Sequence, residues 1–222
     1  MLQPTKAAFV AAALATALAT PAAAGDAASV VAKIGEAQAA VSSYRIELTS
    51  SFATSTTTFV KPQRLKMEVR LATGLTQQSY VVDDVFYTNM TGEWQKATFD
   101  RSQITAMVAQ TATLKSDLAA TLLPDRTEDG ATVGVLQYTV TLPAGFPMAG
   151  GSGPQSLTCT YDKATYLQRT CTSMQGTVTF TTRFTNYKDP ANVVELPPEA
   201  KNAKPLAFPF VVPTPAPSPQ AH

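Results

Sequence analysis

The sequence is poor in the residues that most enzymes use for catalysis and for metal binding. It has one histidine, the C-terminal His222, and two cysteines, Cys159 and Cys171. A single terminal histidine excludes Ser-His-Asp and Cys-His catalysis and histidine-rich metal sites. The sequence also lacks a phosphate-binding glycine loop and a Gly-x-Ser-x-Gly motif. No cofactor is therefore predicted, and an enzymatic function is disfavoured.

Acidic residues and net charge argue against further classes of function. The adjacent carboxylates Asp83 and Asp84 indicate a polar turn, because neighbouring residues of a strand point to opposite faces and do not form an acid/base dyad. The chain has 17 basic and 16 acidic residues, and one of the basic residues is Lys6 near the N-terminus. Such a neutral balance, without a basic cluster, disfavours nucleic acid and anionic membrane surfaces as the main partner.

The N-terminus has the pattern of a secretory signal peptide. Lys6 precedes an apolar run, Ala7–Ala19, and small residues follow at Ala22–Ala24. The apolar run is shorter than the roughly 20 residues that cross a bilayer. Residues 1–24 are therefore predicted to be removed on export, and the mature chain is predicted to be a soluble, monomeric periplasmic protein without a transmembrane segment.

Hydrophobic periodicity predicts one helix followed by a long series of strands, an α+β domain with a large antiparallel sheet. Val30, Ile34 and Val41 recur at helical spacing within Asp26–Ser42. After this segment the period becomes two, and alternation of apolar with polar residues is typical of strands with one wet face. The strands are predicted at Tyr44–Phe52, Thr54–Val60, Arg64–Leu71, Gln78–Val82, Val85–Asn89, Thr132–Pro143, Gly176–Tyr187 and Ala191–Lys201.

Two short helices are predicted in the middle of the chain. Asp100 is a capping residue ahead of Ile104 and Met107, and Leu114, Leu118 and Leu122 form a second stripe that Pro124 ends. The last segment, 204–222, is rich in proline and is predicted to be a disordered tail.

The two cysteines are separated by eleven residues in LTCTYDKATYLQRTCTSM. This spacing suits neither a Cys-x-x-Cys redox motif nor a zinc site. With Cys159 directly opposite Cys171 in a hairpin, Leu157 would oppose Ser173 and Tyr161 would oppose Arg169. In an exported protein this geometry predicts a disulfide, with either a five-residue loop, Lys163–Leu167, or a tighter turn plus a bulge.

Three phrases in this order resemble the LolA-like superfamily: FVKPQRLKMEV, SYVVDDVFYTNMTGEWQKA and LTCTYDKATYLQRTCTSM. The resemblance spans residues 28–201 and defines a predicted LolA-like domain at 25–203. It implies a strongly curved antiparallel sheet, a half-barrel, with the N-terminal helix and the two short helices forming a lid. The carrier of this superfamily has arginine before the turn proline, whereas this chain has Lys61 before Pro62.

Members of this superfamily hold acyl chains in the concavity of the sheet, so the resemblance implies a periplasmic carrier of lipids or acylated lipoproteins without covalent chemistry. The alternative is an envelope sensor or assembly module that binds a protein partner on the same scaffold. The residues predicted to line the hydrophobic concavity are Tyr44, Ile46, Leu65, Met67, Val69, Tyr80, Phe86, Trp94, Ile104, Met107, Leu118, Tyr138 and Phe180.

Overall fold

The computed structural model describes residues 26–89, 92–98, 119–141 and 154–206. In this part of the chain one α-helix, α1 (Asp26–Ala40), precedes a single sheet of twelve strands. The predicted N-terminal helix is confirmed, and it ends at Ala40 instead of Ser42. Ile34 of the predicted stripe is fully buried, and so is Val31, which the prediction had left out, whereas Val30 is partly buried; this side of the helix packs on the sheet.

The strands account for most of the described residues, and they confirm the predicted alternation. In chain order they are β1 (Ser43–Thr49), β2 (Ala53–Val60), β3 (Arg64–Leu71), β4 (Thr76–Val82), β5 (Val85–Thr88), β6 (Gln95–Thr98), β7 (Ala119–Glu128), β8 (Ala131–Thr141), β9 (Pro154–Asp162), β10 (Gln168–Gln175), β11 (Val178–Thr185) and β12 (Lys204–Pro205). A 3₁₀-helix, Pro198–Asn202, precedes β12.

Across the sheet the order of strands is β12-β6-β5-β4-β3-β2-β1-β11-β10-β9-β8-β7. Every neighbouring pair is antiparallel except β12 and β6, which are parallel. The sheet is curved, and its edge strands β12 and β7 do not pair with each other. This open architecture is consistent with a half-barrel.

Strand alternation gives the sheet two faces of different chemistry. We call the face that packs against α1 the helix-side face, and the opposite one the far face. Ile46 of β1 opposes Phe184 of β11 on the helix-side face. The next residue along each strand, Arg45 opposite Thr185 for example, points to the far face, which is rich in threonine and charged side chains.

The main hydrophobic core lies between α1 and strands β1 and β8–β11. Ile34 of the helix and Tyr138 of β8 are at most 1% exposed and belong to one contiguous cluster. The ring of Tyr44 lies 5.2 Å from the ring of Phe59 and 5.9 Å from that of Tyr187. Offset and tilted aromatic pairs at these distances add to the stabilisation that burial itself provides.

Close packing beside this core requires a glycine on β8. The ring of Tyr161 lies over Gly134, where a Cβ atom would overlap it. The same ring stacks on Tyr166 at 5.9 Å, and Lys33 Nζ of α1 lies 5.0 Å from the centroid of the Tyr166 ring. Strand β8, the β9–β10 hairpin and the helix are thus held together by one stack of side chains.

The predicted disulfide joins β9 to β10. Cys159 and Cys171 are directly opposed and bonded, and both sulfurs are buried in the core cluster. Leu157 opposes Ser173, as predicted. The bond therefore fastens the hairpin beneath α1.

The tip of this hairpin combines both predicted alternatives. Lys163–Leu167 connects the two strands, and a register shift follows between Gln168 and Thr170. The prediction that Tyr161 opposes Arg169 is wrong, because the bulge places Gln168 opposite Tyr161. Asp162 closes the turn, since its carboxylate accepts hydrogen bonds from the backbone N–H groups of Ala164 and Thr165.

The second predicted short helix is wrong where the structure describes it. Leu122 and Pro124 lie in strand β7, whose register with β8 shifts between Leu123 and Arg126. β7 is an edge strand, and a proline is tolerated in an edge strand at such a bulge because no ladder hydrogen bond is lost. Leu114 and Leu118, like the first predicted helix with Ile104 and Met107, lie outside the described residues.

The predicted closing strand Ala191–Lys201 is also wrong. Prolines 197 and 198 remove two backbone donors, and the segment forms an irregular stretch followed by the 3₁₀-helix. The ladder resumes only at Lys204–Pro205, where the backbone N–H of Leu206 donates to the Lys96 carbonyl at 2.8 Å. The sheet thus includes the first residues of the segment predicted to be a tail, and residues 207–222 lie outside the described residues.

Candidate functional site

The helix-side face has two parts with different neighbours. The first, which we call the covered part, comprises the side chains of β1 and β8–β11 that form one cluster with α1. The second, which we call the β3–β5 part, comprises the buried and half-buried apolar side chains of those strands on this face that do not belong to that cluster. The predicted site residues divide between the two parts.

Three predicted site residues lie in the covered part. Tyr44 is 3% exposed, Ile46 is 5% exposed and Tyr138 is fully buried, and all three belong to the cluster with α1. Burial removes water from the phenols and raises the pKa of Tyr44 to about 12, and it raises the pKa of Tyr138 as well. The three residues therefore contribute to the cluster that packs against α1, and their contact with a ligand stays a prediction.

Four predicted site residues lie together in the β3–β5 part. Met67 and Val69 of β3 and Phe86 of β5 are 4–6% exposed, and Leu65 of β3 is half-buried. Leu65 opposes Val81, which in turn opposes Phe86, so one apolar row crosses β3, β4 and β5 on the helix-side face. The structure therefore brings these residues together, as the hypothesis of an apolar binding surface requires.

A row of hydroxyl groups runs beside this apolar row. Thr57, Ser79 and Thr88 are 2–3% exposed and share the helix-side face with Met67, because Thr57 opposes Met67 and Met67 opposes Ser79. Ser79 Oγ donates to Thr88 Oγ1 at 3.1 Å. The hydroxyls of Ser79 and Thr88 thus partner each other, and this pair was not foreseen from the sequence.

Two predicted site residues lie on the other side of the sheet. Tyr80 follows Ser79 on β4 and opposes Lys66, which places it on the far face. Its ring lies 5.8 Å from the ring of Trp94 and 6.0 Å from Lys66 Nζ. Tyr80 and Trp94 therefore form a separate aromatic pair on the far face and do not join the other predicted residues.

The remaining predictions are peripheral or lie outside the description. Phe180 of β11 is half-buried on the helix-side face, and its ring meets that of Phe52 edge-on at 5.5 Å. Ile104, Met107 and Leu118 lie outside the described residues. Phe59 and Phe184 were missed, although Phe184 has the same parity as Phe180 in its strand and could have been found by that signal.

Lys61, in the turn that carries the resemblance, has a definite contact. Its Nζ donates to the backbone carbonyl of Ala39 in the last turn of α1, and the Lys61–Pro62 peptide bond is cis. A cation that donates to the C-terminal carbonyls of a helix stabilises the helix end. Lys61 therefore links the β2–β3 turn to the helix that covers the sheet.

Within residues 26–89, 92–98, 119–141 and 154–206, no three His, Cys, Asp or Glu side chains are placed to hold a metal ion. No helix in the same ranges has the length and apolar character needed to cross a membrane.

No protein-family model matches the chain, and no curated protein matches it by sequence. Among solved structures, the chain is similar to the lipoprotein LppX of Mycobacterium tuberculosis, with a TM-score of 0.56 and 11% identity over 74% of this chain and 96% of that one. LprF of Mycobacterium bovis gives a TM-score of 0.48 and 12% identity, over 76% and 94% of the two chains. MucB in the MucA/MucB complex of Pseudomonas aeruginosa gives 0.39 and 14%, over 72% and 57%.

The match to LppX extends over almost the whole of that protein, and it therefore concerns the architecture and not a fragment. A structural match at 11% identity shows that the two proteins share a fold, but it does not show which ligand this protein binds. The resemblance found in three short phrases of the sequence is confirmed at this level: the protein has the LolA-like fold.

Proposed function

We propose that the protein is a periplasmic binding or carrier protein that holds acyl chains of a lipid or of an acylated lipoprotein on the helix-side face, without covalent chemistry. The proposal rests on the arrangement of apolar side chains in the β3–β5 part of the helix-side face. Leu65, Val81 and Phe86 form a continuous apolar row outside the cluster that α1 makes with the sheet, and Met67 lies beside Leu65 on the same face of β3.

The chemistry of this surface suits an acyl chain. An acyl chain offers only apolar contact, so a surface that binds it must not leave a buried donor or acceptor without a partner. The hydrogen bond from Ser79 to Thr88 pairs two of the buried hydroxyl groups beside the apolar row and so supports this condition. The charged residues of the same strands, such as Lys66 and Glu68, point to the far face.

The proposed location rests on two features of the chain. The first 24 residues have the pattern of an export signal. The disulfide between Cys159 and Cys171 is the form that two cysteines take in an oxidising compartment. Both features support a periplasmic protein.

A fluorescent fatty acid tests the proposal directly. Met67→Asn and Phe86→Ala should each weaken binding of the probe about tenfold or more, because each removes apolar contact area from the β3–β5 part. Val193→Asn is the matched control, since Val193 is 55% exposed and lies outside both parts of the helix-side face. A wild-type protein that does not bind the probe and releases no lipid in native mass spectrometry would refute acyl-chain binding.

The second candidate is a module that binds a protein partner, and strand β12 favours it. Lys204 of β12 forms an ion pair with Glu93 at 2.8 Å, and its backbone N–H donates to the Trp94 carbonyl at 3.0 Å. The proline-rich segment therefore starts from a fixed point at the sheet edge, as a segment that presents itself to a partner would. Deletion of residues 207–222, which spares β12, should abolish partner capture and leave fatty-acid binding intact if this candidate is correct.

A further inference from the structure

The helix-side face carries no charged side chain in strands β1–β6. The charged residues of these six strands are Arg45, Glu47, Arg64, Lys66, Glu68, Arg70 and Lys96. The strand pairing places each of them on the far face, because side chains alternate between the two faces along a strand. A ligand that lies on the helix-side face of β1–β6 therefore meets no strand residue that could neutralise a carboxylate or a phosphate.

Three buried hydroxyl groups interrupt this uncharged face. Thr57, Ser79 and Thr88 are 2–3% exposed, and they lie with Met67 in one row that crosses β2, β3, β4 and β5. Burying a hydroxyl group costs free energy unless the group forms a hydrogen bond, and an apolar side chain of the same size would avoid that cost. Packing alone therefore does not explain why hydroxyl groups occupy these positions.

The pair formed by Ser79 and Thr88 has one proton more than its mutual hydrogen bond uses. Each hydroxyl group can donate one proton and accept two, and one proton lies between the two oxygen atoms, which are 3.1 Å apart. Whichever residue donates, the other keeps its proton, and none of the residues that the structure describes accepts it. The pair therefore holds an unused donor inside the apolar surface.

We propose that Ser79 and Thr88 recognise the carbonyl oxygen of an ester or amide that joins the bound acyl chain to the rest of the ligand. The proposal rests on the proposed function, and it names the linkage that the same surface prefers. The apolar row of Leu65, Val81 and Phe86 lies two residues along the strands from the hydroxyl groups, about 7 Å away. A carbonyl group at Thr88 can therefore place its acyl chain along the apolar row.

A neutral carbonyl group suits this surface better than a free carboxylate does. An ester or an amide accepts a hydrogen bond without carrying a charge, so it needs no neighbouring cation. A carboxylate at Ser79 and Thr88 would lose its hydration without gaining an ion pair, because Lys66 and the other charged strand residues point to the far face. A free fatty acid can bind through its chain if its carboxylate stays in water.

A matched pair of fluorescent ligands tests the proposal on the full chain. A pyrene-labelled acyl ester and its ether analogue have the same chain, but the ether lacks the carbonyl oxygen. The wild-type protein should bind the ester about five- to tenfold tighter than the ether, as expected for one buried hydrogen bond. On an apolar surface without a donor the ether would bind at least as tightly, because it costs less to remove from water. Equal affinities of the wild type for the two ligands would overturn the proposal.

A double variant tests whether the hydroxyl pair causes the preference. Thr88→Val keeps the shape of the side chain and its preference for strands, and Ser79→Ala removes the second hydroxyl group. The Ser79→Ala/Thr88→Val variant should bind the ester and the ether equally, and its unchanged affinity for the ether would show that it is folded. Thr181→Val removes a hydroxyl group from the far face of β11 and is the matched control, which should keep the full preference. A preference for the ester that survives in the double variant would contradict the assignment.

The free acid with the same labelled chain tests the preference for a neutral linkage. At neutral pH it should bind the wild-type protein more weakly than the ester does, and equal binding would overturn this preference.

Failure of this proposal and failure of the proposed function give different results. If Met67→Asn weakens binding of both the ester and the ether while Ser79→Ala/Thr88→Val behaves as the wild type does, the acyl-chain surface stands and the role of the hydroxyl pair is refuted. If the wild-type protein binds neither ligand, the proposed function is refuted and the carbonyl site with it.

Discussion

The covered part of the helix-side face and the most buried residues of the β3–β5 part are similarly inaccessible to water, yet their neighbours differ. In the covered part, Tyr138 and Leu136 form one cluster with Ile34 of α1. In the β3–β5 part, Met67 and Phe86 are 4–5% exposed but stand outside that cluster. The comparison teaches that similar burial does not mean similar neighbours in the two parts of the face. What separates them is which residues provide the contacts.

The largest expected effect would come from Ile34→Ala. Ile34 is 1% exposed between α1 and the sheet, so its truncation leaves a cavity and should lower the free energy of unfolding by about 2–5 kcal/mol. Met67→Ala should cost less, about 2 kcal/mol, because Met67 lies outside the cluster with α1, and it should also weaken fatty-acid binding. Urea unfolding measures both. If the two variants lose equal amounts of unfolding free energy, the two parts do not differ in the way described, because the β3–β5 part would then be ordinary core.

The second largest effect should come from alkaline pH, which should lower the free energy of unfolding through the buried tyrosines of the covered part. Burial raises the pKa of Tyr44 from 10.0 to about 12, so the folded protein holds this proton more tightly than the unfolded chain does. The resulting stabilisation is complete below about pH 10 and is lost as the pH rises toward 12; for Tyr44 it amounts to about 2–3 kcal/mol. Burial raises the pKa of Tyr138 and Tyr187 in the same direction.

Unfolding by urea at a series of pH values checks this expectation. The free energy of unfolding should fall above about pH 10 in the wild-type protein, and Tyr44→Phe should make that fall smaller. A pH profile that Tyr44→Phe leaves unchanged would show that Tyr44 does not titrate differently in the folded and unfolded chains.

Removal of the disulfide should have a comparable effect on the free energy of unfolding and no effect on fatty-acid affinity. Changing Cys159 and Cys171 to serine should lower the free energy of unfolding by about 2–3 kcal/mol, because the bond closes a short loop in the unfolded chain. Fatty-acid affinity should not change, since the bond lies in the covered part. Reduction of the wild-type protein serves as the chemical control, and a loss of affinity in either case would place the ligand in the covered part.

The smallest expected effect concerns the helix end. Lys61→Met removes the donor to the Ala39 carbonyl and should lower the free energy of unfolding by about 0.5–1 kcal/mol. Lys201→Met, a change of an exposed lysine on the 3₁₀-helix, is the control. If the two variants are equally stable, the contact of Lys61 with α1 contributes nothing measurable and the turn does not secure the helix.

Much of the fold was predictable because one face of the sheet is apolar and the other is polar. In Arg64–Leu71 the alternation of Leu65, Met67 and Val69 with charged residues has only one interpretation, and the strand is confirmed. The cysteine register was predictable for a related reason, since a short hairpin offers few pairings that bring Cys159 opposite Cys171.

Other assignments depended on contacts that are distant in the sequence. Leu114, Leu118 and Leu122 have helical spacing, but Leu122 lies in β7, where pairing with β8 prevails over local periodicity. The face of the sheet on which Tyr80 lies was not predictable. Tyr80, Val81 and Val82 are all apolar or aromatic, so the sequence does not show which of these alternating side chains point toward the helix-side face. The Ser79–Thr88 hydrogen bond depends on the register of β4 and β5, which no local pattern specifies.

The two edges of the sheet have a consequence for self-association. A twelve-stranded sheet that does not close could in principle add further copies edge to edge and grow into a filament. One edge ends in the two-residue strand β12 with Pro205, and the other, β7, is interrupted at Pro124 by its register shift. A proline offers no backbone N–H to an incoming strand. The prolines at the two edges therefore disfavour edge-to-edge addition of further copies, although the sheet itself stays open.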